Sequence, residues 1–203
     1  MSTAPDGQLA EPLLVTLDVV AAFAPLAIRY ALGGSLASSL HGKPRSTDDV
    51  DLVADITIAH AAPLVAAWGD AYYADAGMIR EAIQTRSCFN IIHLGTMLKI
   101  DVFVAGNDAL VYEELGRARA YRVSDDPPRE LILASAEDIV LQKLRWYRLG
   151  GGVSERQWRD ILGVLAVGAG RLDTSYLRRW AGHVGAEELL DRILAEDAAT
   201  RQL

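Results

Sequence analysis

The chain has 203 residues and a mass of 22.0 kDa, enough for one ordinary domain with a sizeable core, or for one domain plus a small helical extension. Hydrophobic residues make up 51% and charged residues 23%, which argues against long disorder, and a formal net charge of −7 argues against a dedicated nucleic-acid binder while leaving room for a local basic patch. The one cysteine, Cys88, excludes an intrachain disulfide and a clustered Cys/His metal site.

In chain order, MSTAPDGQ lacks the basic start of a signal peptide and reads as a flexible N-terminus, residues 1–8. Leu9 to Phe23 has helical periodicity, which Pro25 ends. The most apolar run, LLVTLDVVAAFAPLAI, is broken by Asp18 and Pro25 and is too short to span a bilayer, so no membrane association and a cytoplasmic location are expected. Ala27 to Gly33 reads as a strand entering a Gly-Gly turn, SLASSLHG as a short helix stopped by Gly42, and Val50 to Ile56 as a second strand. Thr57 caps a helix reaching about Trp68. CFNIIHLG and MLKIDVFVA form a hairpin around Gly95-Thr96, and two extended runs flank Asp125-Asp126-Pro127-Pro128. After Ser135 the pattern is helical: Ala136 to Leu149, Ser154 to Val167, and two helices starting near Thr174 and Ala186. The expected architecture is α+β: a short mixed sheet with helices over residues 9–134, followed by a C-terminal helical part, 135–203, packed on it.

The acids of the second strand raise the chemical question. Side chains alternate along a strand, so Asp49 and Asp51 share a face while Val50 and Leu52 point to the other. Asp48 falls on the opposite face from the pair and is assigned to an ordinary turn. An isolated Asp-x-Asp more often lies on a solvated sheet edge than in a site. Here a third acid, Asp101, interrupts the apolar alternation of LKIDVFV, with Lys99 two positions before it on the same face. Clustered carboxylates repel unless a cation joins them, and an all-oxygen site suits Mg²⁺ or Mn²⁺. Three convergent aspartates are the requirement of metal-assisted phosphoryl transfer.

Gly34-Ser35 follows a strand and opens a helix, where unpaired N–H groups and the positive dipole end favour a phosphate. The path from Ser35 to Asp49 is long enough for one helix and a return strand, which would deliver phosphates to the acids. The run Gly34-Ser35-Leu36-Ala37, His41-Gly42, Arg45, Thr47, Asp49-Val50-Asp51-Leu52-Val53, with Asp101 later on a strand, resembles the signature of the polymerase-β-like nucleotidyltransferase superfamily. The resemblance is closest to small bacterial members, among them abortive-infection nucleotidyltransferases of toxin–antitoxin systems and antibiotic nucleotidyltransferases. A weaker second block, SAEDIVLQKLRWYR followed by SERQWRDILGVL, carries Asp138, Lys143, Arg156 and Asp160.

The resemblance implies transfer of an NMP from an NTP such as ATP to an acceptor hydroxyl or phosphate, with Mg²⁺ (or Mn²⁺) as cofactor. By position, Asp49, Asp51 and Asp101 are the catalytic and metal-binding residues, and Gly34, Ser35, Arg45 and Lys143 hold the nucleotide. Only Lys43, Lys99 and Lys143 among the 20 basic residues are lysine, and a compact ammonium suits phosphate contact, though codon bias also thins lysine. KLRWYRLGGGVSERQWR interleaves arginines with Trp146, Tyr147 and Trp158. Such interleaving fits buried aromatics with solvated arginines better than an RNA surface. It still tips the acceptor slightly to RNA over a protein or a small molecule. An antitoxin is a further candidate partner. The alternatives are an antibiotic-modifying nucleotidyltransferase and a non-catalytic binding module of the same fold.

Overall fold

A computed structural model describes residues 9–47 and 49–201. The expected flexible N-terminus, residues 1–8, and the assignment of Asp48 to a turn lie outside the described residues. The described residues form two compact units: residues 9–36 with 46–133, and residues 37–45 with 134–201.

The first unit carries a seven-stranded mixed sheet of order β3-β4-β5-β2-β1-β7-β6. Its strands are β1 (Tyr30–Leu32), β2 (Asp49–Ala54), β3 (Tyr72–Tyr73), β4 (Cys88–His93), β5 (Lys99–Val104), β6 (Arg119–Asp125) and β7 (Pro128–Leu133). The central strands β2 and β5 are parallel, whereas β1–β2 and β4–β5 are antiparallel. Alternation decides which face is covered. Val50, Leu52 and Ala54 of β2, and Ile100, Val102 and Val104 of β5, are buried, while the odd-numbered positions between them are open to varying degrees.

The helices α1 (Glu11–Ala21), α3 (Ala61–Trp68), α4 (Ala76–Thr85) and α5 (Ala109–Arg117) also belong to this unit. Phe23 is fully buried, edge-on to both Tyr30 and Trp68, and the Trp68 indole N–H donates to the Val19 carbonyl at 3.1 Å. The helix expected from Thr57 starts later: Thr57 opens a 3-10 turn, Ile58–His60, in which its amide donates to His60 Nδ1 at 3.2 Å, and α3 follows from Ala61. Three elements have no counterpart in the sequence reading: the short β3, and α4 and α5, whose N-caps Asp75 and Asp108 accept from the Met78 and Leu110 amides.

The second unit is helical: α6 (Ala136–Leu149), α7 (Glu155–Val167), α8 (Thr174–Val184) and α9 (Glu187–Thr200). It also takes in residues 37–45, a segment the sequence reading assigns to the sheet region. Local contacts explain why. The Gly42 backbone lies against that of Gly163 and Val164, where an added Cβ would meet atoms at 2.9 Å. His41 Nε2 shares a 2.8 Å hydrogen bond with the Ala134 carbonyl. Buried Asp138 accepts from the Ser135 hydroxyl and the Tyr176 phenol, each at 2.6 Å, tying the start of α6 to α8.

Candidate active site

The sheet brings the three predicted acids together. Asp51 and Asp101 are register partners on neighbouring parallel strands, and Asp49 is partner to Lys99 one step along the same face. Adjacent strands lie about 4.8 Å apart. Two carboxylates at that spacing repel by about 1 kcal/mol in a water-like dielectric and about 3.5 kcal/mol at an effective dielectric near 20. Burial of Val50, Leu52, Ile100 and Val102 on the opposite face contributes about 1.5–3 kcal/mol each, so the strand pair can carry the acids.

Gly34 begins α2 (Gly34–His41) directly beneath the acids. Its φ is +59°, and a Cβ there would stand 1.8 Å from Asp51 Oδ2. The Gly33 amide donates to the Asp51 carbonyl at 2.9 Å, fixing the turn to the strand. The glycine therefore does more than turn the chain: the Asp51 carboxylate occupies the space of its missing side chain. Ser35 follows in the first turn of the helix, and buried Thr47 brackets Asp49 by accepting from its amide at 3.4 Å and donating to its carbonyl at 3.3 Å.

Asp101 is held on both oxygens. Lys99 Nζ donates to Oδ2 at 2.8 Å, and the Asn90 amide donates to Oδ1. The hydrogen bond to Asp101 raises the pKa of Lys99; desolvation opposes it, and the charges of Asp101, Asp49 and Asp51 raise it further. Cys88, on the strand beside Asp101, has its thiol pushed up to about 12 by burial and then by the charges of Asp101 and Asp51. Asn90 escapes the sequence reading, although a polar residue between Phe89 and Ile91, in hairpin register with Asp101, marks it.

Arg45 and Lys143 are brought together in the second unit, on Asp160. Arg45 reaches it with Nε and one terminal nitrogen at 2.8 and 2.9 Å, and Lys143 Nζ at 2.8 Å. The Lys143 side chain is 6% exposed and that of Asp160 9%, so these two form a buried pair, which the partly solvated Arg45 joins from its edge. Burial raises the Asp160 pKa, but the guanidinium and the ammonium outweigh it and leave the carboxyl below its ordinary value. Arg156 is exposed. Tyr147 and Trp158 are buried against each other with centroids 5.1 Å apart, and the Arg192 guanidinium covers the Trp158 ring at 4.2 Å. Those two rings are structural, and of the interleaved aromatics Trp146 alone is half exposed.

The fold has solved counterparts. ANT(2'')-Ia in complex with adenylyl-2''-tobramycin matches with a TM-score of 0.55 at 12% identity, covering 88% of this chain and 99% of that one. The chain shares the fold of that solved structure. The lincomycin-bound lincosamide antibiotic adenylyltransferase LnuA matches with a TM-score of 0.50 at 14% identity, covering 78% of this chain and 98% of that one. No protein-family model matches the sequence, and no curated protein matches it significantly.

The donor set can be tested against the divalent cation expected from the sequence. Among the described residues, no three His, Cys, Asp or Glu side chains stand as a closed metal-binding group. The chemistry of the set nevertheless fits: carboxylates only, on one sheet face, with an ammonium already drawn among them. No helix of the described residues is long and apolar enough to cross a membrane.

Proposed function

We propose that the protein transfers a nucleoside monophosphate from an NTP to an acceptor hydroxyl and releases pyrophosphate. The observation that carries this is the register pairing of Asp51 with Asp101, with the Asp51 carboxylate seated on Gly34 at the start of a helix. In this reading the first turn of α2, with the Ser35 hydroxyl, receives the triphosphate. Asp49, Asp51 and Asp101 would hold Mg²⁺ or Mn²⁺, which offsets the charge of the phosphates when bound. The acceptor oxygen bonds to the α-phosphorus, the bond from that phosphorus to the bridging oxygen breaks, and the acceptor proton passes to Asp101 or to water.

Two observations support a small hydroxylated molecule as the acceptor. The rings that would have stacked on bases, Tyr147 and Trp158, are buried, and the net charge of −7 opposes a polyanion. The solved structures of like fold, named with tobramycin and lincomycin, fit this choice. The test is incubation with each labelled NTP, Mg²⁺, and aminoglycosides, lincosamides, bulk RNA or cell protein. Label should move to a small molecule and be lost in Asp51→Asn and Asp101→Asn. Label on RNA or protein would point to a toxin-like activity. Label persisting in both variants would overturn the site, and no transfer by the wild type would favour a binding module.

A further inference from the structure

The acids already have a cation of the chain's own. Lys99 stands in register with Asp49 and two positions before Asp101, so strand alternation puts it on their face. Its ammonium bonds one oxygen of Asp101 while Asn90 bonds the other. The two holders differ in kind. Asn90 comes from the neighbouring strand on a short stem, in register with Asp101. Lys99 has a flexible four-carbon stem and a side chain that is 45% exposed, against 16% for Asp101, so it can swing into water without opening the sheet.

We propose that Lys99 is a place-holder for the divalent cation, pairing with Asp101 in the metal-free protein and leaving its Oδ2 when the metal binds. Asn90 keeps the carboxylate oriented through Oδ1 during the exchange. A doubly charged cation replaces a singly charged one, so Asp101 has a positive partner before and after the exchange and the face as a whole is better neutralised with the metal bound. The metal must displace the ammonium, so it binds weakly by itself and more tightly with a triphosphate that brings further oxygen ligands. The identity of the cation rests on the nucleotidyl-transfer reading, whereas the ion pair does not.

The experiment titrates Mn²⁺ alone into the wild type, Lys99→Met, Lys99→Arg and Asp101→Asn, following free Mn²⁺ by electron paramagnetic resonance. Melting temperatures of the metal-free proteins and of a Lys99→Met/Asp101→Asn double variant are read alongside. Lys99→Met should bind Mn²⁺ up to about fivefold more tightly, the scale of one half-exposed ion pair no longer to be broken. Lys99→Arg, which keeps the charge, should resemble the wild type. Metal-free Lys99→Met should melt below the wild type, and adding Asp101→Asn should recover part of the loss. Equal or weaker Mn²⁺ binding by Lys99→Met, with wild-type binding intact, would overturn the place-holder and leave nucleotidyl transfer standing. No Mn²⁺ binding by either protein, even with NTP, would overturn both.

Discussion

Gly34 has no room for a side chain, and the group that fills the room is catalytic in the proposed reaction. Gly34→Ala would put a methyl into the Asp51 carboxylate and strain a backbone at φ +59°. It should destabilise by about 1–2 kcal/mol in chemical denaturation, with label transfer lost. Gly33→Ala is the control: its Cβ would meet nothing nearer than the Asp51 carbonyl at 3.8 Å, so near wild-type stability is expected. If Gly34→Ala transfers label normally, the helix start does not position Asp51. The acids themselves give the converse pattern. Asp49→Asn removes a like charge from an exposed position, so metal-free stability should hold or rise, while the melting-temperature increase on adding Mg²⁺ and NTP should vanish. These residues were legible in the sequence because strand parity is a local property. Asn90 was not singled out, because its meaning depends on the strand it faces.

At the scale of elements, the cluster of Arg45, Lys143 and Asp160 ties α6, α7 and the 37–45 segment into one unit. Asp160→Asn removes the carboxylate that Lys143 and Arg45 share and should cost about 3 kcal/mol, the low end for a broken buried pair because Arg45 is partly solvated. The sign of the pH dependence follows from the depressed Asp160 pKa. The cluster contributes its full stability above the ordinary carboxyl pKa of 3.8 and loses it as pH falls below that value through the lower folded one. Asp160→Asn should flatten the acid limb of a stability–pH curve in that window, and an unchanged limb would show that the cluster does not couple to folding. From sequence, Arg45, Lys143 and Asp160 could be named but not joined, since their partnership depends on two helices and a loop distant in the chain. Helices α4 and α5 went unread although each has an Asp N-cap and apolar residues at helical spacing, Ile79, Ala82 and Ile83 in one and Leu110 and Leu115 in the other. Strand β3 is only two residues long and exists through its pairing of Tyr72 with His93, so no periodicity could have announced it.

For the whole molecule, charge is the property that separates the candidate acceptors. A chain of net charge −7 gains nothing from long-range attraction to a polyanion. An RNA acceptor would have to be gripped by local arginines such as Arg145 and Arg148, and each phosphate contact would add salt sensitivity. A protein making 6–10 such contacts loses roughly 10³–10⁵ in affinity between 50 and 200 mM salt. A small hydroxylated acceptor bound without counterion release should instead change by no more than about threefold over that range. The expected result is therefore a nearly flat plot of label transfer against salt, with the Arg145→Ala/Arg148→Ala double variant close to the wild type. Because NTP binding is itself electrostatic, the comparison must be made at saturating NTP and Mg²⁺, where salt can act only through the acceptor. A steep fall in transfer under those conditions, flattened by the double alanine, would assign the acceptor to RNA even though Tyr147 and Trp158 are buried.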